Sequence, residues 1–116
     1  MIYELRIYTC IPGRLPALLK RFETKTLDIW KKYDIKPVGF WTVLICNGSQ
    51  DLHYLLAWES MADREKKWTA FATGPEWPAA RAESEKPENG GPIIANIYSA
   101  FLQPTSFSPI DRKSVV

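Results

Sequence analysis

The chain has 116 residues, 46% of them hydrophobic and 24% charged, with a net charge of +2 from 15 basic and 13 acidic side chains. That length makes one domain with a real core, small enough for association to help cover apolar surface. The balanced charge argues against nucleic acid or an anionic membrane as partner, and no apolar run approaches the roughly 20 residues of a membrane span.

The chain opens on a strand-like run. Tyr3, Leu5 and Ile7 alternate with Glu4, Arg6 and Tyr8, so residues 2–10 read as a strand with no signal or transit peptide before it. A cytoplasmic location is the corresponding expectation. The run Ile11-Pro12-Gly13-Arg14-Leu15-Pro16 ends the strand, and Pro16 suits the first turn of a helix. Over residues 14–33 the apolar stripe Leu15, Leu18, Leu19, Phe22, Thr26, Ile29, Trp30 and Tyr33 has helical spacing, and Lys20, Arg21, Lys25, Asp28 and Lys32 fall mostly away from it. Residues 38–46 are rich in β-branched and aromatic side chains and predict a strand. Asn47-Gly48-Ser49-Gln50 is a hairpin turn, and residues 51–59 are the antiparallel partner.

Ser60 and Asp63 then form a capping-box-like helix start. The helix that follows carries Met61, Arg64, Trp68 and Phe71 on one side and breaks at Gly74-Pro75. A short helix with Trp77 early in it comes next, then a loop over 87–92 and a last strand over 93–102. The domain is expected to span 1–104, with 105–116 an extended tail.

The order β-α-β-β-α-β defines a ferredoxin-like α+β fold, an antiparallel sheet with both helices on one face. Its first and third strands are expected side by side and parallel in the middle, with the second and fourth as edges. On that layout Cys10 and Cys46, the two cysteines, fall at opposite ends of the sheet, about 20–25 Å apart at strand rise. A disulfide, which needs Cα atoms within about 7 Å, is then excluded.

Strand alternation divides the sheet into two faces. Tyr3, Leu5, Ile7 and Thr9, with Leu52, Tyr54, Leu56 and Trp58, make the apolar set that the helices should cover. Glu4, Arg6, Tyr8, His53 and Glu59 are then expected together on the other face. Leu55 and Ala57 make that face too apolar for water, so a second copy of the sheet is its natural cover.

The stretches Tyr3–Leu19 (YELRIYTCIPGRLPALL), Gly39–Thr42 (GFWT), Ala57–Arg64 (AWESMADR), Gly74–Ala79 (GPEWPA) and Pro104–Pro109 (PTSFSP) occur in order along nearly the whole chain. They resemble the NIPSNAP family of the dimeric α+β barrel superfamily. The resemblance implies a homodimer with an open barrel between subunits and a pocket in each subunit between sheet and helices. Members of the family often carry a histidine where this chain has Tyr54, one position from His53, so a family histidine role does not carry over to His53.

Three groups of side chains are candidates for function. His53, the only histidine, reads either as a general acid or base oriented by Glu4 or Glu59, or as a hydrogen-bonded member of a polar cluster at a dimer interface with Glu4, Arg6, Tyr8 and Glu59. Arg6 could clamp a carboxylate or phosphate, or pair with Glu4. Tyr3, Trp30, Trp41, Tyr54, Trp58, Trp68, Phe71 and Trp77 could line a pocket for a small apolar or aromatic molecule, or build a core of large rings. The motifs of nucleotide binding, metal binding and Ser/His/Asp catalysis are missing from the sequence, so no cofactor or metal is expected. Three functions follow: a homodimeric binding protein; an enzyme of the cofactor-independent monooxygenase or isomerase kind, as the superfamily implies; or a protein-interaction module.

Overall fold

The structure is a computed structural model in which residues 1–110 are described. Strand β1 (Ile2–Cys10) leads into a long helix made of α1 (Leu15–Arg21), a π-helical turn (Phe22–Thr26) and α2 (Leu27–Lys32). Then come β2 (Lys36–Thr42), β3 (Asp51–Trp58), α3 (Met61–Thr73), α4 (Glu76–Ser84), a 3₁₀ turn (Pro87–Asn89) and β4 (Ile94–Leu102). The expected ferredoxin-like order is observed. The expected tail falls partly on 111–116, outside the described residues.

Local chemistry explains the element ends. The first N–H groups of a helix lack intrahelical acceptors, and at α1 the side chain of Gln50 supplies one: its Oε1 accepts from Gly13 N at 3.2 Å and Leu15 N at 3.4 Å. At the other end, Ile35 N donates to Trp30 O at 3.0 Å and Asp34 N to Lys31 O at 3.4 Å. With Asp34 at φ 56, this is a Schellman cap in which aspartate takes the left-handed position usually given to glycine. Ser60 caps α3 as expected, its Oγ accepting from Asp63 N at 3.1 Å.

The sheet order is β2-β3-β1-β4, and β1 is antiparallel to both β3 and β4. The expected parallel pairing of the first and third strands is therefore wrong. β1 and β2 are joined by a helical crossover and run the same way. β3 returns from β2 and inserts between them, antiparallel to each. The argument that separated the cysteines falls with it: Cys10 and Cys46 lie at the same end of the sheet, where Cys10 N bonds Gln50 O at 2.9 Å. Both are free thiols, Cys10 buried and Cys46 exposed.

The second strand begins at Lys36 and stops at Thr42, short of the expected 46. Thr42 pairs with Leu52, and beyond it the chain has no strand opposite, so Leu44 and Ile45 lie exposed in the loop to β3. Propensity alone cannot hold a strand without a ladder partner.

The largest correction concerns the faces of β1. Its residues 4, 6, 8 and 10 are buried against the helices. Opposite residues in the ladder share a face, and Glu4 pairs with Leu56, Arg6 with Tyr54 and Tyr8 with Leu52. Those β3 residues are inward, as expected. Tyr3, Leu5, Ile7 and Thr9 therefore lie on the open face with His53, Leu55 and Ala57. Counting apolar residues misplaced β1 because its charged set is buried as a mutually satisfied network, which lowers the cost of desolvation.

Candidate functional site

The core under the sheet is built of rings. Trp30 is in T-shaped or tilted contact with Phe22, Tyr54, Trp68 and Phe71, at centroid separations of 5.5–6.3 Å. Beside these rings lies a cavity of about 420 Å³ between β1, β4 and the helices. Trp30, Trp68, Phe71 and Trp77 form its apolar wall, with Ile94 and Ile97 from β4. Its polar wall comprises Arg6, Arg21 and Arg81 with Glu85, and beside them Tyr8, Thr26 and Asn96.

Behind the wall lies a buried polar network. Glu4, fully buried, accepts four hydrogen bonds. Its Oε1 takes Trp58 Nε1 and Arg64 Nε, both at 3.1 Å. Its Oε2 takes Arg6 Nη1 at 3.0 Å and Arg64 Nη2 at 3.1 Å. Arg6 continues the chain: Nε donates to Tyr54 Oη at 2.8 Å and Nη2 to Tyr8 Oη at 3.1 Å. The two phenol oxygens are 2.9 Å apart. Since each already accepts from Arg6 and only one proton is shared between them, one O–H of the pair has no acceptor among the described residues. Arg6 also stacks on Trp68, its Cζ 4.7 Å from the ring centroid, and Arg64 packs over Trp68 from 5.2 Å.

Burial, and then the neighbouring Tyr8, pushes the Tyr54 phenol well above its usual range. Tyr54 is therefore a neutral donor at physiological pH rather than a base.

Arg21 enters from the helix at the π turn. Leu27 N there donates to Phe22 O, five residues back, which widens the helix by one residue. Arg21 is 3% exposed. Its Nη1 donates to Ser84 Oγ and Glu85 Oε2, both at 3.2 Å, and its Cζ lies 4.9 Å from the Trp77 centroid. Among the described residues its Nε is buried without a partner, and so is Nε1 of Trp30. Burial lowers the Arg21 pKa, and Glu85 offsets part of that effect.

Of the candidate ring residues, Trp30, Trp68, Phe71 and Trp77 reach the cavity, while Tyr54 and Trp58 lie in the core behind it. Tyr3 and Trp41 do not join them: they pair with Ala57 and His53 on the open face. The expected polar cluster is split. Glu4, Arg6 and Tyr8 face the helices, His53 lies opposite Ile7 and Trp41 on the open face, and Glu59 is exposed past the end of β3. With a strand plane between them, Glu4 cannot orient His53.

Arg21, Arg64, Thr26 and Glu85 escaped sequence reasoning. Arg21 did leave a signal, because it follows Leu18 at helical spacing and so sits beside the apolar stripe.

The sheet, the one-sided helices and the cavity define a ferredoxin-like α+β protein, a fold shared at TM-score 0.52 with a mutant of MhuD crystallised with two manganese protoporphyrin IX molecules per active site. That chain is 15% identical over 90% of this one and 94% of its own length, so the likeness concerns the fold alone. Residues 3–109 match the NIPSNAP family, and the chain belongs to it.

Protein Atu4242 from Agrobacterium tumefaciens is 25% identical over 94% of this chain and 98% of its own, with TM-score 0.81. An uncharacterised NIPSNAP domain protein from Burkholderia xenovorans is 26% identical over 94% and 99%, with TM-score 0.77. No curated protein matches. Among the described residues no helix is long and apolar enough to cross a membrane.

Proposed function

We propose that this protein binds a small apolar or aromatic molecule in the cavity between sheet and helices, and does so as a homodimer. The observation that carries the binding reading is the cavity itself: about 420 Å³, walled by Trp30, Trp68, Phe71 and Trp77, within the size range of small-molecule sites. Tyr54 and Trp58 support that wall from behind. A core of rings without such a hollow would have left only an interaction module.

The homodimer is supported by the open face. Trp41, Tyr98 and Leu102 are 52%, 53% and 44% exposed there, beside the half-buried Leu5, Ile7 and Leu55. So wide an apolar surface calls for a cover, and a second copy of the same sheet is self-complementary. In this reading His53 is an interface residue with Trp41 and Ile7.

Native mass spectrometry of the purified protein tests both parts. The expected result is twice the 13.3 kDa chain mass plus a small-molecule adduct that is lost on denaturation. A monomer refutes the dimer. Repeated absence of an adduct, with no change in tryptophan emission across a panel of apolar and aromatic compounds, refutes the binding site. Turnover of a bound compound would move the reading to the enzyme alternative.

A further inference from the structure

We propose that the cavity's ligand is an organic acid, whose carboxylate pairs with Arg21 while its apolar body lies against Trp30, Trp68 and Phe71. This rests on the binding reading above and names the chemistry of the occupant.

The first ground is charge. The titratable side chains lining the cavity are Arg6, Arg21, Arg81, Glu85 and Tyr8. Three guanidiniums face one carboxylate. Glu4 lies just behind and is shared by Arg6 and Arg64, as Glu85 is by Arg21 and Arg81, so the wider cluster holds four guanidiniums and two carboxylates. Arg81 is largely exposed and solvated, but Arg6 and Arg21 are not. Two carboxylates leave that cluster with net positive charge, which attracts an anion into the cavity.

The second ground is the inventory of donors. A guanidinium has five N–H groups. Arg6 engages all three of its nitrogens, one bond each to Tyr54, Glu4 and Tyr8. Arg21 spends only Nη1, so its Nε–Nη2 edge is unused among the described residues, with Nε buried. That edge is the side-on fork that a carboxylate engages with both oxygens. Tyr8, which lines the same cavity, carries the spare O–H of the Tyr8–Tyr54 pair when Tyr54 donates to it. Among the described residues, the buried side-chain polar atoms without partners are both N–H donors.

The third ground is the rest of the lining. Trp30, Trp68, Phe71 and Trp77 share it, so the acid group belongs to a molecule with a sizeable apolar body rather than to free inorganic phosphate.

The test is calorimetric titration of the full-length protein with 2-naphthoate and decanoate, each against its neutral primary amide. The acids are expected to bind about tenfold or more tightly than the amides, as a charge-assisted bidentate pair requires. Arg21→Gln should remove that preference. Arg21 is buried and its variant could fail to fold, so Glu85→Gln supplies the second arm. Freed of its competing carboxylate, Arg21 should widen the preference for acids over amides.

Equal binding of acid and amide overturns the acid proposal and leaves the apolar site standing. Binding of neither at millimolar concentration overturns the site and the proposal together. Acid preference retained in a folded Arg21→Gln protein, or weakened in Glu85→Gln, overturns the role given to Arg21. Inorganic phosphate displacing the acids would overturn the requirement for an apolar body.

Discussion

Replacing Glu4 by glutamine keeps the shape of the side chain and removes one charge from the centre of the buried network. Its four hydrogen bonds come from Arg6, from Arg64 twice and from Trp58. A glutamine oxygen can still accept two of them. Its NH₂ can accept none and would face a guanidinium N–H. At least two donors are left without an acceptor, and a hydrogen bond to a charged group contributes about 1.5–3 kcal/mol. The sum agrees with the about 3–5 kcal/mol lost when one partner of a buried ion pair is removed. A domain of this size has a net stability of about 5–15 kcal/mol, so Glu4→Gln should be close to unfolded or should melt about 12–20 °C lower, at about 4 °C per kcal/mol. Urea unfolding followed by far-ultraviolet circular dichroism and tryptophan emission measures the change. Arg64→Met is the control. Arg64 is 21% exposed and its loss leaves Glu4 with Arg6 and Trp58, so its cost should be clearly smaller. A Glu4→Gln protein less than about 1 kcal/mol below wild type would refute the view that this carboxylate holds the network together.

Four further outcomes are expected. Tyr54→Phe leaves Arg6 Nε without its acceptor and should cost about 1–3 kcal/mol in urea unfolding. Tyr54 also sets a pH dependence. Its folded pKa lies above the ordinary 10.0, so the folded state holds the proton more tightly than the unfolded one. That contribution is fully present below about pH 10 and is lost as pH rises beyond it; Tyr54→Phe should flatten this alkaline loss, and an unchanged slope would refute the assignment. Gln50→Ala removes the cap on α1 and should lower stability by about 1 kcal/mol, read as a shift in the urea midpoint. Cys46 should react with a thiol reagent in the native protein within minutes, whereas Cys10, buried and with its thiol pushed up by that burial, should react only on unfolding. Equal rates for the two would contradict their placement.

The architecture was legible because helical spacing, the Ser60 cap and the turn at Asn47–Gln50 are local signals, each adding to one order of elements. The direction of the strands needed topology: β1 and β2 are parallel because a crossover joins them, and β3 is antiparallel to both because it returns from β2. The ring residues of the cavity could be seen as a set, since Trp30, Trp68, Phe71 and Trp77 lie on the inner stripes of their helices. Its charged residues could not. Period-2 alternation tells which residues share a face but not which face is covered. On β1 the covered face is the one bearing Glu4 and Arg6, whose partners Arg64, Trp58 and Tyr54 are 48 to 60 residues away in sequence. His53 drew attention by being unique, yet its uniqueness carried no information about what surrounds it.

The π turn at Phe22–Thr26 has one more consequence. A helix advances about 100° per residue, so the extra residue accommodated there rotates everything before it relative to everything after it. Ile29 and Trp30 can face the core while Arg21 faces the cavity, from what would otherwise be a single continuous stripe. Deleting one residue within this turn would restore an ordinary helix and turn the Arg21 side chain toward a different neighbour, with no change of amino acid at position 21. Relatives of this protein with a one-residue gap in that turn would keep the fold and lose the arginine from the cavity, and their ligands should differ accordingly.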